Sequence, residues 1–219
     1  MSNGEGKQND QPKLEENPSD KTQAQLRQIS IEELKQILRE HIKWLRSKGV
    51  EGKRADLHLS NLKALNLKKV MLAYANLQQS NLLKVNLQQA NLISTNLKQS
   101  NLCQANMGMA NLFRVNLESA EIIGSILTNS NLTEANLKSC NCRGTDFEGA
   151  ILVKANLQGA DLLSTFFEDA VLRGTNLRGV ENLRIEQLQG AKTLYQAKLD
   201  PELLVYVERL CPFLLRESI

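Results

Sequence analysis

Leucines stand five positions apart over more than half of this chain. Leu57, Leu62, Leu67, Leu72, Leu77, Leu82, Leu87, Leu92, Leu97 and Leu102 open the series. The register continues through Met107, Leu112, Leu117, Ile122, Leu127, Leu132, Leu137, Cys142, Phe147, Leu152, Leu157, Leu162, Phe167, Leu172 and Leu177. That makes 25 consecutive units over Ala55–Gly179 without an insertion. Two positions before each large side chain stands a mostly small one, such as Ala55, Ser60, Ala75, Thr95 or Ala105. Asn or Asp lies between them in 19 of the 25 units, so the unit reads small–Asn–Leu–x–x. A period of five fits neither the 3.6 of a helix nor the 2.0 of a strand. A coiled-coil seam needs 3.5. The chain must therefore turn once per unit. Four right-angle turns close a square, and each Leu then sits above the Leu four units earlier, as Leu77 above Leu57. The position before the Asn is small because the corners crowd the axis.

This pattern resembles the pentapeptide-repeat family. The resemblance implies an all-β solenoid, a right-handed quadrilateral β-helix, here with about six coils. At a strand spacing of about 4.8 Å such coils make a rod roughly 30 Å long. One unit cannot bury its Leu alone, so stability is a sum over stacked neighbours. Each buried Leu contributes about 1.5–3 kcal/mol of transfer free energy. Both ends of the rod are sheet edges that need covering.

The flanks supply the covers. Ser30-Ile31-Glu32-Glu33 has the capping-box pattern. Leu34, Leu38, Ile42 and Leu45 recur at helical spacing, and Gly49 stops the helix, which spans about Ile31–Lys48. His41–Leu45 followed by Glu51–Leu57 resembles a leader of some bacterial pentapeptide-repeat proteins. After Val180 the register fails; Arg184–Gln189 reads as a helical turn, and Leu194 and Leu199 as a partial last coil shifted in phase. Asp200-Pro201 opens a last helix, which Pro212 ends or kinks. The expected organisation is a disordered polar tail (1–28), an N-terminal capping helix and linker (29–54), the solenoid (55–181), and a partial last coil with a C-terminal helical cap (182–219).

Composition narrows the function classes. No apolar run approaches the length of a bilayer-spanning helix, so no membrane span is expected. The stretch Met1–Asp20 lacks the apolar core of a secretory signal. Four unevenly spaced Cys make no disulfide framework, and a cytoplasmic location follows as the expectation. Cys140 and Cys142 fall inward by register and lack the second ligand pair that zinc needs. Cys103 falls outward and Cys211 in the cap, either a candidate free thiol. His41 and His58, the only histidines, assemble no catalytic arrangement, and no phosphate-loop or EF-hand pattern is present. The expectation is a chain that is not an enzyme and takes no cofactor or metal.

Three surfaces stand out. One face of the square carries Met71, Ala73, Tyr74, Ile93, Phe113, Ile151, Val153 and Val171. The face that follows it carries polar residues such as Gln78, Gln79, Lys98, Glu118 and Lys138. An apolar stripe on one side of a rod is the form a contact surface takes, so Met71, Tyr74, Ile93, Phe113, Ile151, Val153 and Val171 are the candidate contacts for a protein partner. Second, residues 32–69 carry ten basic and five acidic side chains. Arg46, Lys53, Arg54, Lys68 and Lys69 are therefore candidate contacts for an anion or an acidic partner. Third, Tyr206, Leu210, Phe213 and Leu214 add more apolar surface than a lid needs. The family resemblance makes them candidates for pairing two subunits, so a homodimer through either the C-terminal cap or the apolar face is expected. The resemblance also implies an alternative: some members mimic B-form DNA and bind DNA gyrase and related topoisomerases. That role needs a strongly negative rod, whereas residues 55–179 hold 11 basic and 9 acidic side chains. No specific nucleic acid is expected as a partner. The expected function is a non-enzymatic interaction or scaffold module.

Overall fold

The structure, a computed structural model, describes residues 26–217. Most of the expected tail, 1–25, lies outside the described residues. The repeat region forms a solenoid in which isolated parallel bridges join each unit to the fourth unit after it. They run from Asp56↔Asn76 to Asp161↔Glu181, and four columns of bridges give four faces. We name the faces after one residue in each column: the Asn61 face, the Asn66 face, the Met71 face and the Asn76 face, whose column begins at Asp56.

One unit shows why the five residue types are needed. Thr95 N–H donates to Leu92 O (3.1 Å), closing a four-residue turn. Asn96 N–H donates to Ala75 O of the preceding coil (3.0 Å). Leu97 and Gln99 N–H donate to Asn116 O and Glu118 O of the next coil (2.7 and 3.0 Å). Lys98 N–H faces neither coil, and it donates instead to the Oδ1 of Asn96 (3.2 Å). Every N–H of the unit is thereby satisfied. The Asn is present because the fourth N–H has no backbone partner. On the Asn76 face these amides also stack: Asn96 Nδ2 donates to Asn76 Oδ1, and Asn136 Nδ2 to Asn116 Oδ1.

The Leu and small columns point inward and are almost wholly buried. Inward hydroxyls are tolerated because they bond turn carbonyls, as Ser80 Oγ does to Leu77 O and Thr95 Oγ1 to Leu72 O. Phe147 and Phe167 replace Leu in one column and stack face to face, with centroids 5.4 Å apart. The fifth residue of every unit, from Leu59 to Gly179, has a positive φ, and only six of the 25 are Gly.

At the N-terminal end, β1 (Arg27–Gln28) pairs in parallel with β2 (Ser60–Asn61). Arg27 and Gln28 belong to the stretch expected to be disordered. They are ordered because Arg27 N–H meets the otherwise free Leu59 carbonyl on the first coil's edge. The helix α1 (Ile31–Arg46) follows, with Ser30 Oγ accepting from Glu33 N–H (3.1 Å). The expected capping box is half made: the Glu33 carboxylate pairs with Arg27 rather than reaching back to the cap. Leu34 and His41 are buried on the first coil, with Ile37 and Leu38 packed beside them.

At the other end a short helix, α2 (Ile185–Gln189), is inserted after Glu181. The ladder resumes as Val171↔Thr193 and Asn176↔Lys198, two positions later than the regular step would place it. Helix α3 (Pro201–Leu210) and a 3-10 helix (Pro212–Leu215) close the chain. Asp200 does not cap α3 with its side chain; its Oδ2 instead accepts from Gly179 N–H (2.7 Å), a free donor on the last coil's edge. No described helix is long and apolar enough to cross a membrane.

Candidate interaction surfaces

The bridge columns bring the seven apolar candidates onto one side. Met71, Ile151 and Val171 share the column that passes through Asn91, Asn111 and Asn131. Tyr74 N–H donates to Ile93 O and Ser94 N–H to Phe113 O, which stacks those residues on the same face. Met71, Tyr74 and Ile151 are exposed, while Ile93, Phe113, Val153 and Val171 are half-buried. The Arg114 guanidinium covers the Phe113 ring at 4.9 Å. Ala73 is buried.

The structure adds exposed apolar side chains that the sequence reading did not single out. Met109, Ile126 and Phe166 stand on the Asn66 face, and Ile123 and Leu163 on the Asn61 face. The signal lay in the Asn column. Six units lack Asn or Asp there: Met71, Glu121, Ile126, Ile151, Phe166 and Val171. Five of the six are apolar, and each forgoes the bond that Asn makes to the N–H two positions on, worth about 1 kcal/mol. Three of those five fall on the Met71 face and two on the Asn66 face.

The C-terminal candidates divide. Tyr206, Leu210 and Phe213 are exposed, as is Val205. Leu214 is buried, and its carbonyl accepts from Leu194 N–H (2.7 Å), so it seals the last coil and offers no surface.

The basic candidates do not converge on one anion site. Lys53 and Arg54 line a 460 Å³ cleft between α1 and the first coil, together with Arg27, Glu40 and Asp56. The two carboxylates there compete with any anion. Lys68 and Lys69 are exposed on the Asn66 face, the side of the square opposite Asp56, and Arg46 is exposed at the end of α1. A second cleft, of 470 Å³, is lined by Phe166, Glu168, Glu186 and Gln187.

Thiol and imidazole chemistry is damped. Burial pushes the Cys140 thiol well above its ordinary pKa, and its Sγ donates to Ala120 O (3.0 Å). Burial also raises Cys103. Cys211 is buried, so of the two candidate free thiols only Cys103 reaches the surface. His41 is fully buried and stacks on Trp44. Its Nδ1 accepts from Ala55 N–H (3.1 Å), which fixes the tautomer with the proton on Nε2. His58 is exposed beside Asp56. Among the described residues no group of three His, Cys, Asp or Glu side chains could hold a metal ion.

Known proteins share this repeat. The family model described as pentapeptide repeats matches in eight copies, over residues 72–108, 110–141 and 140–179. No curated protein matches the chain. Among solved structures, QnrB1, described as a plasmid-mediated fluoroquinolone resistance protein, is 16% identical, with 76% of this chain and 95% of that one covered at a TM-score of 0.46. HetL from the cyanobacterium Nostoc sp. strain PCC 7120, described as involved in heterocyst differentiation regulation, is 21% identical, with coverage of 78% and 94% and a TM-score of 0.24. Rfr23 from the cyanobacterium Cyanothece 51142 is 22% identical, with coverage of 74% and 99% and a TM-score of 0.31.

Proposed function

Because the chain belongs to the pentapeptide-repeat family, we propose that it is a non-enzymatic interaction module: a rigid right-handed rod of about six coils, closed by α1 at one end and α3 at the other, that binds a protein partner through its Met71 face. One observation carries the reading. Met71, Ile151 and Val171 occupy positions where Asn closes most units, and each gives up a side chain–backbone bond to present an apolar side chain. Ile93, Phe113 and Val153 extend the same strip beside them. A repeat module that spends stability on outward apolar groups gains contact surface in return. The rod works in the cytoplasm, and its C-terminal apolar residues Tyr206, Leu210 and Phe213 are available for pairing with a second subunit.

The test is a pair of substitutions that leave the core alone, Phe113→Asp with Val153→Asp. Wild type should retain a protein partner in a pull-down, and the double variant should lose it. Equal binding by both proteins would exclude the Met71 face. The alternative of DNA mimicry is disfavoured by charge, since residues 55–179 hold 11 basic against 9 acidic side chains. Micromolar protein should leave gyrase supercoiling in the presence of a quinolone unchanged.

A further inference from the structure

Charges are distributed differently on the Asn66 face than on the other three. The Met71, Asn76 and Asn61 faces each join opposite charges between neighbouring coils: Arg114 to Glu134, Lys98 to Glu118, and Arg143 to Asp161. The Asn66 face separates them. Its first coil carries Lys68 and Lys69, and its last two carry Asp146, Glu148, Glu168 and Asp169. The bridges Asn66↔Asn86, Asn86↔Asn106, Asn106↔Ile126, Ile126↔Asp146 and Asp146↔Phe166 put all of them on one continuous ladder. Among the described residues none of these six charges joins an ion pair within the chain. Five coil spacings of about 4.8 Å separate Lys68 from Glu168, about 24 Å. That is about three times the Debye length of about 8 Å at physiological salt, so the ends do not neutralise one another within one molecule.

The middle of the face is uncharged and exposes two apolar side chains. Met109 is 59% accessible and Ile126 43%. Ile126 takes the place of an Asn and gives up its cap, as Phe166 does nearer the acidic end. The face therefore reads basic, uncharged, acidic along the rod.

We propose that the Asn66 face pairs with the Asn66 face of a second copy of this chain, with the two rods antiparallel about a two-fold axis. Antiparallel stacking sets the first coil of one rod against the last of the other. Lys68 and Lys69 then meet the partner's Glu168 and Asp169, and the same contact recurs at the opposite end, as an isologous interface requires. The third and fourth coils of one rod meet the fourth and third of the other, so Met109 packs against the partner's Ile126 on either side of the axis. Phe166 lies where it can cover the partner's Lys68 and Lys69 stems and accept a cation–π contact. A parallel arrangement would instead oppose like charges at both ends. A second copy fits this face because the complement of its charge pattern is the same pattern reversed. Lys68 and Lys69, expected from sequence to bind an anion, take carboxylates of the partner in this arrangement.

Sedimentation velocity on the full chain tests the pairing, at about 20 mM and about 500 mM salt, where the Debye length falls from about 20 Å to about 4 Å. Wild type should be dimeric at the lower salt and dissociate at the higher. Lys68→Glu with Lys69→Glu should weaken the dimer tenfold or more, as should Glu168→Lys with Asp169→Lys. The four substitutions together restore complementarity and should restore the dimer. Met109→Asp with Ile126→Asp should leave a monomer at both salts. Circular dichroism melts show that each variant is folded. A wild-type monomer at both salts, a dimer indifferent to the charge substitutions, or a folded fourfold variant that stays monomeric would each overturn the proposal.

Discussion

The fifth residue of each unit carries the constraint that turns the chain. Its φ is positive in all 25 units, and 19 of the 25 hold a side chain there. Left-handed φ is tolerated by Lys, Gln, Ser, Asn and similar residues but is a severe strain for a β-branched one. No Val, Ile or Thr occupies the column, although Ile93, Ile123, Thr128, Thr133 and Val153 sit one position earlier. Gln99, exposed at φ 57°, isolates the effect. Gln99→Val should destabilise the protein by about 1–3 kcal/mol and Gln99→Gly should be neutral or stabilising, both read from urea unfolding. The inward column is sensitive for a different reason. Leu117 is fully buried between neighbours above and below. Leu117→Ala should cost about 2–5 kcal/mol in the same measurement, because the flanking coils are held apart by their hydrogen bonds and cannot close the cavity.

Helix α1 is held to the first coil by two devices, and each can be tested. Gly52 passes close beneath the helix: a Cβ there would collide with the Glu40 carbonyl oxygen, at a φ of +73°. Gly52→Ala should therefore lift α1 from the coil, lowering the midpoint of thermal unfolding and raising hydrogen exchange at Ala55. The second device is His41, whose Nδ1 holds the Ala55 N–H and whose Nε2 has no partner. Burial lowers its pKa; the Ala73 backbone opposes this in part, and the Arg54 charge adds to it. With the folded pKa below the unfolded value of about 6.5, the unfolded chain binds the proton more readily. The helix contact is fully stabilising above about pH 6.5 and weakens as pH falls toward the folded pKa. Wild type should melt at a lower temperature at about pH 5.5 than at about pH 7.5, and His41→Gln should flatten that difference.

Over the whole rod, register in full coils keeps each face intact, while register in single units keeps only the core. Deleting one full coil, residues 96–115, should leave a cooperatively folding protein of lower stability, since each coil contacts only its neighbours. The Lys68 and Glu168 ends would still share a face, and self-association should persist, weakened by the loss of Met109. Deleting a single unit, residues 96–100, should also fold but turn everything after it by one face. Glu168 and Asp169 would then leave the face of Lys68 and Lys69, and the dimer should be lost. Sedimentation of the two deletions at low salt separates the outcomes; a dimer formed equally by both would show that face register does not matter to it.

Much of the architecture could be read from the one-dimensional pattern, and the reason is physical. A core column recurring at every fifth position admits one way of turning, so Leu57 to Leu177, the small column and the inward Cys140 and Cys142 follow from spacing alone. The four faces follow too, which is why Met71, Ile151 and Val171 could be grouped before any coordinates. Contacts outside the period could not be read in this way. Glu33 binding Arg27, Asp200 binding Gly179 and Leu214 turning inward all depend on edges that exist only once coils stack. The lengthened step from Val171 to Thr193 depends on where α2 fits. The coil was written into the chain, because a local period dictates a local turn. Closure of the ends was not, since free edge groups recruit partners without regard to sequence distance. Nor was the pattern of ion pairs, because pairing or separation depends on how charges one coil apart align along each face.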